Sequence, residues 1–290
     1  MNWCKVNLTC DCVNVNLIEE ILVGYEAISI SMFDYIGDSP IYEPGLGETP
    51  LWKIIRICAL FEKNITKEII GIILEGIPYT NLSISNLENQ NWVQKYQESF
   101  KPIKFGERLW VVPSWYSGLQ EKGSINVKLD AGLAFGSGSH ETTHLCLEFL
   151  EKSNIKGQTI IDFGCGSGIL SIAALLLGAN SVIAIDIDSQ ALLATKENSI
   201  KNKVIDRIQI VKPDIIKKIK VDLLIANILS NILIDQRDRF SNLLEPGSRL
   251  VLSGIMQNQL KKVIDYYGKY FTMQSIESKN NWCLVMFTRK

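Results

Sequence analysis

The segment Ile160–Leu170 reads IIDFGCGSGIL: a buried-strand run, an acid at Asp162, then glycines at 164, 166 and 168, then an apolar helix start. Glycines tolerate positive φ and let a backbone approach a ligand closely, and the following helix start offers free amides and a positive dipole end to an anionic group. A nicotinamide-type turn would be G-x-G-x-x-G, and its third glycine would fall at position 169, which is Ile169. The spacing here is G-x-G-x-G instead. Some twenty residues on, the apolar run VIAI ends in Asp186, placed to accept both hydroxyls of a ribose. Asp188, two residues later, reads as a helix-start residue. Asp214 follows the next strand and stands either near an adenine or as a turn former. A further apolar run, Asp222 to Asn227, ends at Asn227, where an open parallel sheet receives its second substrate.

The glycine variant with its preceding acid resembles the first motif of the class I methyltransferases, whose turn holds the amino acid end of S-adenosylmethionine. Enzymes that methylate planar nitrogens usually carry D/N-P-P-Y at the fourth strand; A-N-I-L at 226–229 weakens that substrate class. One more segment matters, Asp130 to His144 (DAGLAFGSGSHETTH), which holds both histidines of the chain, His140 and His144. By itself it reads as a Gly/Ser connector with Thr142 or Thr143 capping a helix, and it carries too few ligands for a metal site.

With that segment the resemblance narrows to the ribosomal protein methyltransferase A family, which trimethylates amines on the L-eleven protein of the large ribosomal subunit. The family pattern D-P-G-L-A-F-G-T-G-T-H-P-T-T is matched by Asp130 to Thr143, with Ala131 and Glu141 in place of prolines and Ser137 and Ser139 in place of threonines. The match continues through DFGCGSGIL, IDID, ANIL and LSGI (252–255), and in the N-terminal part through Tyr42–Trp52 and Phe105–Trp110. Carried over position by position, it implies cofactor contacts at Thr143, Gly164, Asp186 and Asn227, with Gly166 and Gly168 completing the turn. It implies ribosomal protein L-eleven as partner and substrate, modified on lysine side-chain and N-terminal amines. Asn227 is then the candidate for orienting the amine, with His140 as an alternative proton acceptor. Phe135 stands either against the methylammonium or in the packing. A class I RNA methyltransferase is the second reading, and a cofactor-binding protein without transfer activity the third.

The elements around these residues follow from periodicity. Residues 1–90 read strand, helix, strand, strand, helix, strand: Trp3–Asp11, a helical face from Leu17 to Tyr25, Ala27–Phe33, Ile54–Phe61, Lys67–Leu74 and Tyr79–Ile84. That order suits a ferredoxin-like α+β domain over residues 1–90, which the family resemblance implies to be the substrate-recognition domain. Ile41–Trp52, rich in proline and glycine, reads as a loop or hairpin. Residues 91–122 are expected to be a linker, with a helix at Asn91–Phe100 and a short strand between Pro102 and Pro113. Residues 123–290 alternate strand and helix, as a Rossmann-like, doubly wound, mostly parallel sheet does. Strands are expected at Thr159–Phe163, Val182–Ile185, Ile208–Val211, Leu223–Ala226 and Leu250–Leu252. The helices between them start near Ile169, Ser189, Ile228 and Gln257. The closing Phe271–Ile276 and Trp282–Phe287 read as a β-hairpin, unusual in a plain dinucleotide-binding fold.

Bulk composition sets the outer limits. The chain has 290 residues, 47% hydrophobic and 21% charged, which suits two soluble domains. No apolar run reaches the ~18–20 residues of a membrane span, and the N-terminus lacks the pattern of a signal peptide, so a cytoplasmic location is expected. A net charge of −1 gives nucleic-acid binding no support. The seven cysteines are scattered, without a C-x-x-C pair, and read as small hydrophobes rather than a disulfide framework or zinc site; no metal is expected.

Overall fold

The computed structural model of the chain describes residues 3–37, 51–87, 101–116, 123–129, 138, 140–215 and 220–290. The expected loop from Ile41, the expected helix at Asn91–Phe100, and Phe135 with most of the 130–139 loop lie outside the described residues. The chain divides into two compact units, Met1–Tyr96 and Gln97–Lys290.

The first unit runs β1 (Trp3–Asp11), α1 (Val15–Gly24), β2 (Ser29–Asp34), β3 (Ile54–Phe61), α2 (Lys67–Ile73) and β4 (Thr80–Leu87). Its sheet has the order β2-β3-β1-β4 with every pairing antiparallel, which is the ferredoxin-like arrangement. Period-two alternation sorts β1 between faces. Cys4, Val6, Leu8 and Cys10 are buried against Val15, Ile18 and Leu22 of α1 and Ile70 of α2, while Lys5 and Asn7 point to the other face. Thr66 caps α2 by accepting the Ile69 N–H through Oγ1 at 3.4 Å.

In the second unit, β5 (Ile103–Phe105), β6 (Leu109–Val112) and β7 (Ile125–Lys128) form a small sheet. Then follow α3 (Glu141–Lys152), β8 (Thr159–Phe163), α4 (Ile169–Leu176), β9 (Ser181–Ile185), α5 (Ser189–Lys201), β10 (Ile208–Val211) and β11 (Leu223–Asn227). The chain continues through α6 (Ser230–Leu243), β12 (Arg249–Met256), α7 (Leu260–Tyr267), β13 (Phe271–Lys279) and β14 (Trp282–Arg289). The large sheet has the order β10-β9-β8-β11-β12-β14-β13. Its first five strands are parallel, and β14 enters antiparallel to both β12 and β13. The closing hairpin therefore lengthens the sheet, and β14 is buried on both faces: Leu284 lies in one core, Cys283, Val285 and Phe287 in the other.

Two cores sandwich the sheet. One gathers α3, α4 and the small sheet; the other gathers Leu233 and Phe240 of α6 with Val263 and Tyr267 of α7. Within the segment expected as a linker, β5 and β6 place Phe105, Leu109 and Val111 fully inside the first core. Asn202, just past α5, holds β7 from both sides, accepting from the Lys128 N–H at 2.8 Å and donating to its carbonyl at 2.7 Å. Helices α6 and α7 start two to three residues later than their spacing suggests, because β11 runs to Asn227 and β12 to Met256.

Candidate active site

After β10 the chain crosses from one side of β8 to the other, so β8 and β11 flank the point where strand order reverses. Clefts form outside the carboxyl ends of strands at such a point. β8 arrives with Ile160, Ile161, Asp162 and Phe163 buried, and the chain then turns through Gly164, Gly166 and Gly168 at φ of +81°, +54° and +79°. Both Gly164 and Cys165 donate N–H groups to the Ile185 carbonyl, at 2.8 and 2.9 Å, which ties the turn to the end of β9. A Cβ on Gly164 would run into Cγ2 of Ile228 just beyond β11, and one on Gly168 would stand 2.9 Å from Thr195. Glycine is required there by packing as well as by φ.

Asp186 is half-buried at the end of β9. Its Oδ2 accepts the Gly166 N–H at 2.9 Å and its Oδ1 accepts the Asp188 N–H at 3.0 Å. Two backbone donors thus fix the carboxylate against the glycine turn. Asp188 caps α5, accepting the Gln190 N–H at 2.9 Å, as its position suggests. Asp214 lies exposed in a single 3-10 turn, Pro213–Ile215.

At the other side of the cleft, Asn227 ends β11 and donates from Nδ2 to Thr143 Oγ1 at 3.3 Å. Thr143, in the first turn of α3, is 1% exposed. Thr142 does not cap that helix; His140 does, its Nδ1 accepting the Thr142 N–H at 3.3 Å and lying 2.8 Å from the Thr142 hydroxyl. The His140 ring stands edge-on to Trp282, with centroids 5.0 Å apart. Glu141 accepts from Asn280 Nδ2 at 3.0 Å, joining the start of α3 to the tip of the closing hairpin. His144 packs on Phe105 at 4.6 Å, and burial moves its pKa down. The sequence-derived residues therefore form linked pairs: Thr143 with Asn227, Gly164 with Ile228 next to Asn227, and Gly166 with Asp186.

Several supporting residues carry no local signal in the sequence. Thr195 and Asn198, one turn apart on the buried side of α5, hold the turn from beneath: Thr195 Oγ1 donates to the Gly166 carbonyl at 3.0 Å and Asn198 Nδ2 to that of Ser167 at 2.9 Å. Ser171 donates to Asp162 Oδ2 from both its backbone N–H (3.0 Å) and its hydroxyl (2.6 Å). Burial pushes the Asp162 carboxyl up to about 6 against those two bonds, and its buried Oδ1 has no donor among the described residues. Cys146 and Cys165 are also buried, and burial raises both thiols far out of the reactive range. Among the described residues no cluster of His, Cys, Asp and Glu could hold a metal.

This arrangement fits a nucleoside ligand with a polar tail. A pre-oriented carboxylate suits vicinal hydroxyls, and the orphaned Asp162 oxygen beside the turn marks where a donor is wanted. No helix among the described residues is long and apolar enough to cross a membrane.

The chain is similar to known proteins over its whole length. The sequence profile described as "Ribosomal protein L11 methyltransferase (PrmA)" matches residues 2–290. A protein of Nitrosococcus oceani named ribosomal protein L11 methyltransferase is 40% identical over 296 residues, covering all of both chains. A protein of the same name from Hahella chejuensis is 38% identical over 287 residues, 98% of each chain. The crystal structure of a ribosomal protein L11 methylase from Lactobacillus delbrueckii subsp. bulgaricus is 34% identical, with a TM-score of 0.61. It is matched over its whole length and over 66% of this chain.

Proposed function

This chain belongs to the ribosomal protein L11 methyltransferase family, and we propose that it moves methyl groups from S-adenosylmethionine to lysine side-chain and N-terminal amines of ribosomal protein L11. The observation that carries the reading is the meeting of the glycine turn, Asp186 and the Asn227–Thr143 pair at one switch point, within a chain that matches the family from residue 2 to its end. Family membership favours this reading over RNA methylation.

When bound, S-adenosylmethionine supplies a methyl group on a sulfonium sulfur. Asp186 would accept the two ribose hydroxyls through the lone pairs left over from its two backbone donors. Gly164, Gly166 and Gly168 would admit the amino acid end close to the backbone, beside Asp162. Methyl transfer carries positive charge from sulfur to nitrogen with little new charge created, so the protein contributes chiefly by positioning. Asn227 has its Nδ2 committed to Thr143, which leaves Oδ1 to accept a hydrogen from the amine and aim its lone pair. The amine must be neutral to attack, and a lysine starts from a pKa of about 10.4. Desolvation in the cleft lowers that value, and the site needs no dedicated base. His140 holds the start of α3 through Nδ1.

The test is a methyl donor with a radioactive methyl group, mixed with this protein and an extract containing ribosomal proteins. Label should appear in a band at the mass of L11, vanish with protease and survive nuclease. Label that survives protease and is lost to nuclease would overturn the protein-substrate reading.

A further inference from the structure

The first turn of α3 carries Thr143, whose hydroxyl accepts from Asn227, so the placement of that turn decides whether the pair forms. Three successive residues at the start of α3 are gripped, each by the closing hairpin or by the strand beside it. The His140 ring stands edge-on to Trp282 at 5.0 Å, and Glu141 Oε1 accepts from Asn280 Nδ2 at 3.0 Å. Beneath them the buried Ser253 hydroxyl lies 3.4 Å from the Thr142 carbonyl and 3.3 Å from that of Cys283.

The hairpin tip that does the gripping is itself anchored. Lys279 pairs with Trp282 across it, Trp282 pairs with Met256 of β12, and the Asn281 carbonyl accepts the Gln257 N–H at 2.9 Å. Trp282 and Cys283 are buried. Asn280 takes the turn at φ +53°, which asparagine tolerates better than most residues. On the other side of the contact, Glu141 is the first residue of α3. Its own N–H and the Asn280 amide hold its carboxyl below the ordinary carboxylate range, and an ionised group there suits the positive end of the helix. The family pattern carries proline at this position, a residue that starts a helix through its fixed φ and needs no partner. Glutamate lacks that constraint and must be held from outside.

We propose that Glu141 and Asn280 are positioning residues of the cofactor site: their hydrogen bond does the work of a proline at the start of α3 and keeps Thr143 on Asn227. The proposal rests on the methyltransferase reading above, in which Thr143 and Asn227 border S-adenosylmethionine, and it adds the hairpin tip to the parts that shape that site.

The full-length enzyme and its Glu141→Ala, Glu141→Gln, Glu141→Pro and Asn280→Gly variants are titrated calorimetrically with S-adenosylmethionine, and each is melted alongside. Glycine at 280 removes the amide while tolerating the positive φ. Glu141→Ala and Asn280→Gly should each weaken cofactor binding about fivefold, the effect of one lost hydrogen bond, and the two together should do no more than either alone. Glu141→Gln keeps an acceptor for Asn280 and should bind within about twofold of the parent. Glu141→Pro should also bind like the parent and make Asn280→Gly silent. His140, at ψ 142°, already has the extended backbone that precedes proline, and the first N–H of a helix has no intrahelical partner to lose. Losses that add in the double variant, an Asn280→Gly loss that persists beside Glu141→Pro, or variants that melt lower yet bind the cofactor as the parent does would each overturn the positioning role. An unsubstituted enzyme that takes up no S-adenosylmethionine would instead refute the functional reading itself, so the two failures are distinct.

Discussion

Asp186 and Asp162 stand twenty-four residues apart in sequence yet on either side of one glycine turn, and their surroundings give them opposite characters. Asp186 is half-exposed and holds two backbone N–H groups. Replacing it with Ala would remove the acceptor for ribose and also release the Gly166 and Asp188 amides. Cofactor affinity should fall by about tenfold or more, since each hydrogen bond to a charged acceptor contributes roughly 1.5–3 kcal/mol. Calorimetric titration with S-adenosylmethionine checks this, and unchanged affinity removes Asp186 from the site. Asp162 is buried, and its pKa is raised from 3.8 to about 6. Because the folded state holds this proton more tightly than the unfolded chain does, its contribution to stability is largest in acid. That contribution is lost as pH rises from about 4 to 6, amounting to roughly 2–3 kcal/mol. Asp162→Asn keeps an acceptor for Ser171 and cannot ionise. It should flatten that pH slope and raise the melting temperature of the cofactor-free protein near neutral pH; a slope identical to the parent's would refute the assignment. At this scale the acids and glycines were legible because strand ends and turn spacing mark them. Thr195, Asn198 and Ser171 were not, because only long-range packing turns an ordinary helical polar residue into a support for the turn.

At the scale of elements, strands β8 and β10 keep the bounds expected from sequence, since each is a mostly apolar, isoleucine-rich run that stops just before a breaker, Gly164 after β8 and Pro213 two residues past the end of β10. β12 extends beyond the expected Leu250–Leu252, through Ser253 and Gly254, which interrupt the apolar run. They form a bulge: register with β14 shifts between Leu252 and Ile255, and Gly254 sits at φ +82°. A Cβ on Gly254 would overlap the Ile228 carbonyl oxygen and stand 2.8 Å from its carbon, backbone atoms that cannot swing aside. Strand β12 thus passes so close to the end of β11 that only glycine fits, and Asn227 is held by that contact. Gly254→Ala should destabilise the protein by about 2–4 kcal/mol, from backbone strain and overpacking together, and should weaken cofactor binding by displacing Asn227–Ile228. Gly247, at φ +89° with nothing within 4 Å of its added Cβ, is the control. Its change to Ala meets only the strain, about 1 kcal/mol, and should leave binding alone. Equal effects of the two substitutions in thermal melts would show that φ, not the close approach to Ile228, sets the cost.

For the whole molecule, the question is where the catalytic unit begins. Pro102 and Pro113 around a short strand read as a linker up to residue 122, since prolines often border connections. In the structure that strand, β6, is the central member of the small sheet, pairing with β5 on one side and β7 on the other. Phe105, Leu109 and Val111 are at most 1% exposed, and they share a core with Leu145 and Leu147 of α3 and Ile172 of α4. Burying each such side chain contributes about 1.5–3 kcal/mol, so the three together approach the 5–15 kcal/mol that holds a typical domain folded. Two fragments separate the possibilities. One from Gln97 to Lys290 should fold, melt cooperatively and bind S-adenosylmethionine with the affinity of the full chain. One from Ile125 to Lys290 keeps every proposed cofactor contact yet strips β7 of its partner and opens the core beneath α3, the helix that carries Thr143. It should aggregate or melt far lower, with little cofactor binding. If the shorter fragment were as stable as the longer one and bound the cofactor equally well, the small sheet would be an appendage and the boundary would return to residue 122. The longer fragment should still methylate L11 poorly at low substrate concentration, because it lacks the first unit, which the family resemblance implies to be the substrate-recognition domain. Raising the L11 concentration should recover much of its rate, whereas a defect in kcat that no concentration overcomes would mean that the first unit shapes the chemistry and not only the capture of the substrate.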